Sequence, residues 1–226
     1  MWHDGLFEAL EALRDEARAA YMAAYMKDQF VFLGVATPER RKCTEPFFKL
    51  ARIEKRLDHV FVKTCYNSPF REYQYVAVNY LQAVDNLLKA KDIDLVEELI
   101  CTKSWWDTVD GLDRVAGDLA LKYPKLNKRL LDWSLSDNIW LRRAAIDHQL
   151  SRKEETDLEL LETIIVNNLG QKEFFVNKAI GWSLRELSKS NPDWVTSFID
   201  RHQAALSKLS LREASKYLFA GGKKRK

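Results

Sequence analysis

The sequence predicts an all-α fold of tandem helical hairpins, and three observations carry that expectation. Helix-start patterns recur near positions 37, 68, 104, 137, 171 and 210, in steps of 31, 36, 33, 34 and 39 residues. Further amphipathic segments lie between them, at about 53–66, 92–102, 157–168 and 193–202. Strand signals are nearly absent, with eight glycines in 226 residues, no Asn-Gly turn and no alternating β-branched run. Helix pairs repeating every 30–40 residues are the signature of an α-solenoid of HEAT-like repeats. The period rests on helix starts and not on matching letters, and an ordinary helical bundle is the competing architecture.

The elements follow in order. Gly5 to about Lys27 is rich in Ala, Glu, Arg and Leu at helical spacing and reads as one helix. Thr37-Pro38-Glu39-Arg40 reads as a start, with Thr37 as N-cap, Pro38 in the first position and an acid in the first turn. Ser68-Pro69-Phe70-Arg71-Glu72 repeats the pattern, with Glu72 placed to help cap. Looser versions open at Ser104, Asp137, Gln171 and Ser210. The expected organisation is a single solenoid domain over 1–220, of about six hairpin repeats, followed by a flexible basic tail at 221–226.

Composition narrows the function classes. Hydrophobic content of 46% with 31% charged residues describes a soluble globular chain. No apolar run approaches the ~18–20 residues that span a bilayer. The N-terminus carries Asp4, Glu8 and Glu11 in place of a basic leader region, so no secretory signal is expected. Cys43, Cys65 and Cys101 are scattered, which fits reduced thiols in a cytoplasm. His3, His59, His148 and His202 are equally dispersed, and no HExxH, Gly-rich phosphate loop, GxSxG or EF-hand pattern occurs. The expectation is therefore an activity with no metal and no cofactor. Residues 1–100 hold 14 Lys+Arg against 16 Asp+Glu, whereas 101–226 hold 22 against 17. The basic second half favours a polyanionic partner, although a solvated basic face has the same composition.

Chemistry concentrates in three stretches. Thr102-Lys103-Ser104-Trp105-Trp106-Asp107-Thr108-Val109-Asp110 sets two indoles and two carboxylates within six residues. On a helix Trp106 and Asp110 project together, and a ring beside a carboxylate favours a cation or developing positive charge. Trp in a helix is ordinarily core, and an Asp one turn on is ordinarily a solvated charge. Asn138-Ile139-Trp140-Leu141-Arg142-Arg143 sets an Arg pair inside a helix otherwise rich in apolar residues, where adjacent residues diverge by about 100°, so only one can face a given groove. Lys178-Ala179-Ile180-Gly181-Trp182 places Gly before another Trp, marking close packing or reserved space. Trp140 reads as inter-helix packing. Because these starts fall in consecutive repeats, Trp106, Asp110, Arg143 and Trp182 become candidate neighbours on one concave face.

The motifs TKSWWDxVD, SDNIWLxRAAI and KEFFxxKAIGWxLRE, with Tyr25-Met26-Lys27 and Phe32-Leu33-Gly34-Val35-Ala36-Thr37-Pro38-Glu39-Arg40-Arg41, resemble the AlkD family of DNA alkylation repair proteins over about residues 20–195. The resemblance implies a HEAT-like-repeat DNA glycosylase with a concave, basic DNA-binding cleft. The activity it implies is hydrolysis of the N-glycosidic bond of N3- and N7-alkylated purines in double-stranded DNA. The catalytic Trp and Asp fall on Trp106 and Asp110, and a third cleft residue falls on Trp182. Arg143 and Tyr25 are the implied DNA contacts; Thr37, Arg41, Lys103 and Lys178 are further candidates. Ala36 departs from the family pattern just before the TPERR run, which bears on a DNA contact and not on the chemistry.

An alkylated purine already carries positive charge, so its departure needs no general acid. Bond breaking builds oxocarbenium character on the sugar, which Asp110 would stabilise while orienting water. Trp106 and Trp182 would contact the cationic nucleotide, worth about 1–2 kcal/mol when desolvated, and Arg143 would meet phosphate. The family also implies a grip on the backbone around the lesion without a deep base pocket. No Lys is placed for Schiff-base chemistry, so simple hydrolysis to an abasic site is expected. A monomer in the cytoplasm, associated with the nucleoid through DNA, completes the expectation. The alternatives are a catalytically silent DNA-damage binder and a protein-interaction scaffold with Trp106 and Trp182 as anchors.

Overall fold

A computed structural model describes residues 1–218, so the basic tail expected at 221–226 lies outside the described residues. Thirteen α-helices account for the described architecture, joined by short 3-10 turns and one isolated bridge between Val31 and Phe70. None of these helices is long and apolar enough to cross a membrane. Packing divides the chain into two compact units, Met1–Lys89 and a second beginning at Ala90.

The first unit holds α1 (Leu6–Glu11), α2 (Glu16–Tyr25), α3 (Thr37–Ile53), α4 (His59–Asn67) and α5 (Arg71–Ala83). The single helix expected over Gly5–Lys27 is interrupted because Asp15 has two other partners. Its side chain caps α2 by accepting from the Arg18 N–H at 2.9 Å, and its own N–H donates to the Leu33 carbonyl at 2.9 Å. Thr37 is the first residue of α3 and Ala36 the N-cap; the Glu39 carboxylate accepts from the Ala36 N–H at 3.2 Å. The unit's aromatic core stacks Trp2 on Tyr80, ring centroids 4.8 Å apart, with Phe61 edge-on at 4.6 Å. Tyr80 OH donates to the Arg56 carbonyl at 2.7 Å and accepts from the Asp58 N–H at 2.9 Å.

Glu72 does not cap α5. It is fully buried and its carboxylate accepts from the backbone N–H groups of Leu33, Gly34 and Val35 at 2.9, 2.9 and 3.1 Å. An irregular segment has no helical partners for those donors, and a charged acceptor supplies them. Truncating this side chain orphans three buried donors at once. Glu72→Ala is expected to lower the unfolding free energy by about 3 kcal/mol or more, measured by urea denaturation.

The second unit holds α6 (Ile93–Ile100), α7 (Trp106–Lys122), α8 (Asn127–Ser134), α9 (Ile139–Asp147), α10 (Leu158–Val166), α11 (Phe174–Leu187), α12 (Pro192–His202) and α13 (Lys208–Ala214). Here α7, α9, α11 and α13 pack in succession, while α6 backs α7, α8 backs α9 and α12 backs α11. Their apolar faces meet in a core that includes Val109, Leu112, Leu130, Ile146, Ile164, Ile180 and Leu184, all buried. Side-chain caps fix several starts one to three residues from the expected positions. Asn138 accepts from the Trp140 N–H at 2.9 Å, and Ser207 from the Ser210 N–H at 3.0 Å. Ser104 is not a cap at all, since its hydroxyl donates to the Ile100 carbonyl of α6 at 2.6 Å and Trp105 takes the N-cap position.

Gly181 marks close packing. A Cβ there would stand 2.6 Å from Glu213 Cβ and 3.1 Å from Ser210 Cα, so α11 and α13 touch through the missing side chain. Helix propensity alone favours alanine by about 1 kcal/mol. Overpacking outweighs it: Gly181→Ala is expected to lower the melting temperature, at a net cost of about 1–3 kcal/mol, whereas a gain in stability would show that α13 can yield.

Candidate functional site

The site grows from three helices of the second unit that pack in succession, α7, α9 and α11. Trp106 opens α7, and Asp110 lies one turn on, so both project from one face as their spacing requires. Gly117, farther along α7, lets that helix approach α9: a Cβ at this position would fall 1.9 Å from the His148 carbonyl oxygen. Asp110 and Arg143 meet across this contact. Arg143 Nε donates to Asp110 Oδ1 at 2.7 Å and Nη2 to Oδ2 at 2.8 Å, the planar two-pronged arrangement of a guanidinium on an ionised carboxylate. From α11 the Phe175 carbonyl accepts the remaining arm, Nη1, at 2.9 Å.

Arg143 is 3% exposed, and Asp110 opens to solvent by 18%. Burial pushes the Asp110 carboxyl upward, while the hydrogen bonds and charge of Arg143 oppose it and Asp107 adds to the rise. Arg143 is held charged beyond its ordinary range by Asp147 and Asp110, which outweigh its own desolvation. Trp182, from α11, brings its ring to 5.9 Å from the guanidinium carbon. Together Trp106, Asp110, Arg143, Phe174, Phe175, Lys178, Trp182 and Arg185 line an open pocket of about 350 Å³.

Not all the expected phosphate contacts are open. Arg143, and not Arg142, meets Asp110, and three of its five N–H donors go to that carboxylate and to the Phe175 carbonyl. The role the geometry shows for Arg143 is that of partner to the carboxylate, because a buried guanidinium needs its countercharge. Lys178 Nζ donates to Glu213 at 2.9 Å, alongside Arg185 at 2.6 Å and Lys216 at 2.8 Å. Lys216 is the leading cause that holds the Glu213 carboxyl down to about 2, with Lys178 adding to it. Three cations on one carboxylate leave a surplus of positive charge beside the pocket. Lys103 is exposed between α6 and α7 with φ 47°, a left-handed conformation uncommon for a side-chain-bearing residue. Tyr25, Thr37 and Arg41 lie in the first unit, all exposed.

Sequence reasoning missed several participants. Trp105, the other indole of the motif, packs with Trp140 at 5.6 Å and Phe175 at 5.0 Å, and Trp140 and Phe175 are 4.8 Å apart. This cluster fixes the segment whose carbonyl holds Arg143. Asp113 and Asp147 sit behind the ion pair, where Asp110, Asp113 and Asp147 each bring an oxygen within 4.8 Å of the others. That is cation-ligand spacing, and the positive charge beside it is the Arg143 guanidinium. The available signal was positional: Asp113 follows Asp110 by three residues and Asp147 follows Arg143 by four, on otherwise apolar helix faces.

The family model of the DNA alkylation repair enzyme matches residues 6–218. A solved structure from Enterococcus faecalis, described as a "predicted DNA alkylation repair enzyme", is 33% identical and superposes with a TM-score of 0.84. The alignment covers 92% of this chain and 97% of that one. No curated protein matches the chain. On a match that spans nearly its whole length, the chain belongs to the DNA alkylation repair enzyme family.

Proposed function

We propose that the chain is a monofunctional DNA glycosylase that hydrolyses the N-glycosidic bond of positively charged N3- and N7-alkylated purines in duplex DNA. The observation that carries the reading is Asp110, a carboxylate held by Arg143 in a pocket walled by Trp106 and Trp182. The guanidinium occupies one side of each carboxylate oxygen, leaving lone pairs for a sugar carbon that becomes cationic and for an attacking water. Fixed by a buried partner, the carboxylate needs no reorganisation as charge develops. The indoles supply faces and edges for a cationic base. An alkylated purine leaves as a neutral base, so the water's proton is the only one to be placed, and Asp110 is its acceptor.

DNA binding draws on the surplus charge around Glu213 and on exposed Lys103, with Tyr25, Thr37 and Arg41 contributing from the first unit. Successive packing of alternate helices in the second unit supports the expected HEAT-like repeats, and a basic concave face is part of the same reading. The protein acts as a monomer without a metal or cofactor.

The deciding experiment follows base release from duplex DNA with a single N7-methylguanine. Wild type is expected to release the base and leave an intact strand bearing an abasic site. Asp110→Asn keeps an acceptor for Arg143 but loses the charge, and is expected to slow release by roughly two orders of magnitude or more at similar DNA affinity and melting temperature. Equal rates in the two proteins would remove Asp110 from the chemistry, and tight DNA binding without release would favour a silent damage binder. The logarithm of the affinity for duplex DNA is expected to fall linearly with log salt, with a slope of several units. Salt-independent or absent binding would leave the scaffold reading.

A further inference from the structure

Behind Asp110 the same helices bury two carboxyls that the proposed chemistry does not use. Asp113 lies one turn beyond Asp110 on α7, and Asp147 one turn beyond Arg143 on α9; they are 2% and 1% exposed. Asp147 Oδ2 stands 3.8 Å from Arg143 Nη2, within ion-pair range, yet neither Asp147 oxygen has a hydrogen bond. Asp113 Oδ2 also has none. Three carboxyls beside one guanidinium cannot all ionise in a dry interior. Arg143 satisfies Asp110 directly, so the remaining two must hold protons or leave charge unpaired.

The surrounding charges do not relieve them. At the C-cap of α9, His148 is neutral: burial drives it down to about 4, and its Nδ1 meets the Ala145 carbonyl. Arg152 donates to the Gly117 carbonyl and to Gln149. From α8, Arg129 holds Asp94 and Glu97, and Lys128 holds Asp132. From α10, Glu162 is held by Arg201 and His202. From α11, Lys178 and Arg185 hold Glu213. The charges that act on Asp147 are Arg143 and the carboxyls of α7. Asp113 is pushed well above its ordinary range, by burial first and then by Asp110 and Asp147. Burial likewise pushes Asp147 up to about 7, with Arg143 opposing.

We propose that Asp147 is a positioning residue whose protonation sets the charge of the cleft. Neutral, it leaves Arg143 Nε and Nη2 to Asp110, with Nη1 on the Phe175 carbonyl. Ionised, it releases its proton to solvent, shares Nη2 and adds a second negative charge behind Asp110. Asp147 touches neither DNA nor water in the reaction; it acts through Arg143 and Asp110. The proposal rests on the glycosylase reading, in which positive charge grows beside Asp110. The ionised form favours that charge, so base release rises as Asp147 loses its proton.

The test compares pH profiles of the full chain and its Asp147→Asn variant by two measurements. The first is unfolding free energy in urea. Because Asp147 is raised above its ordinary value, the folded state holds an extra proton between about pH 4 and 7. Wild-type stability should therefore fall as pH rises through that window, and more steeply than in the variant, in which the raised Asp113 and Asp110 still contribute a decline. The second is the single-turnover rate of N7-methylguanine release, corrected for spontaneous loss. Wild type is expected to rise roughly tenfold between about pH 5.5 and 8, while Asp147→Asn stays near its low-pH rate and Asp147→Glu recovers a rise. Superimposable rate profiles for wild type and Asp147→Asn would overturn the proposal. If wild type released no base at any pH, the glycosylase reading would fall, and the stability profiles alone would decide: parallel profiles would overturn the titration of Asp147, and a steeper decline in wild type than in the variant would support it.

Discussion

One buried guanidinium organises the second unit. Arg143 is almost wholly removed from water, so its charge has to be answered from within the protein, and each helix around it answers in kind. The α7 helix gives the Asp110 carboxylate, α11 gives the Phe175 carbonyl, and α9 itself brings Asp147. The requirement propagates outward. Holding the Phe175 carbonyl in place takes the aromatic cluster of Trp105 and Trp140, and bringing α7 onto α9 takes the bare backbone of Gly117. Lysine in place of Arg143 would carry the charge but not the planar fork, and could not bond both oxygens and the carbonyl together.

Much of the fold was legible because helix periodicity is local. The starts read at 37, 68, 104, 137, 171 and 210 each fall within three residues of an observed helix, and α4, α6, α10 and α12 occupy the intervening amphipathic segments. What was not legible depended on distant partners. The break between α1 and α2 follows from the tie between Asp15 and Leu33, and Glu72 left its capping role for the 33–35 segment. The α8 helix follows directly on the 124–126 turn with no side-chain cap at its start, so no start pattern marked it.

The candidate site divides along the same line. Trp106 and Asp110 share a face by spacing alone, the repeat period brought Arg143 and Trp182 beside them, and the resemblance gave them roles. The sequence could not say that Arg143 would be sealed against Asp110, because that depends on the distance between α7 and α9. Asp113 and Asp147 were passed over because an acid one turn from another polar residue normally marks a wetted stripe. Here the stripe is covered by the neighbouring helix. Lys178 and Arg185 were similarly easy to count as free cations until α13 supplied Glu213.

The aromatic composition of the pocket also gives the site an optical character. Trp106 and Trp182, each partly exposed, form its walls, and Trp105 and Trp140 lie in contact with Phe175, another wall residue. Four of the seven tryptophans are therefore concentrated around one recess. A ligand entering it changes the solvent around two indoles directly and displaces the ring against which two more rest. Intrinsic emission at this protein is thus weighted toward its cleft, and occupancy there is visible without an attached dye.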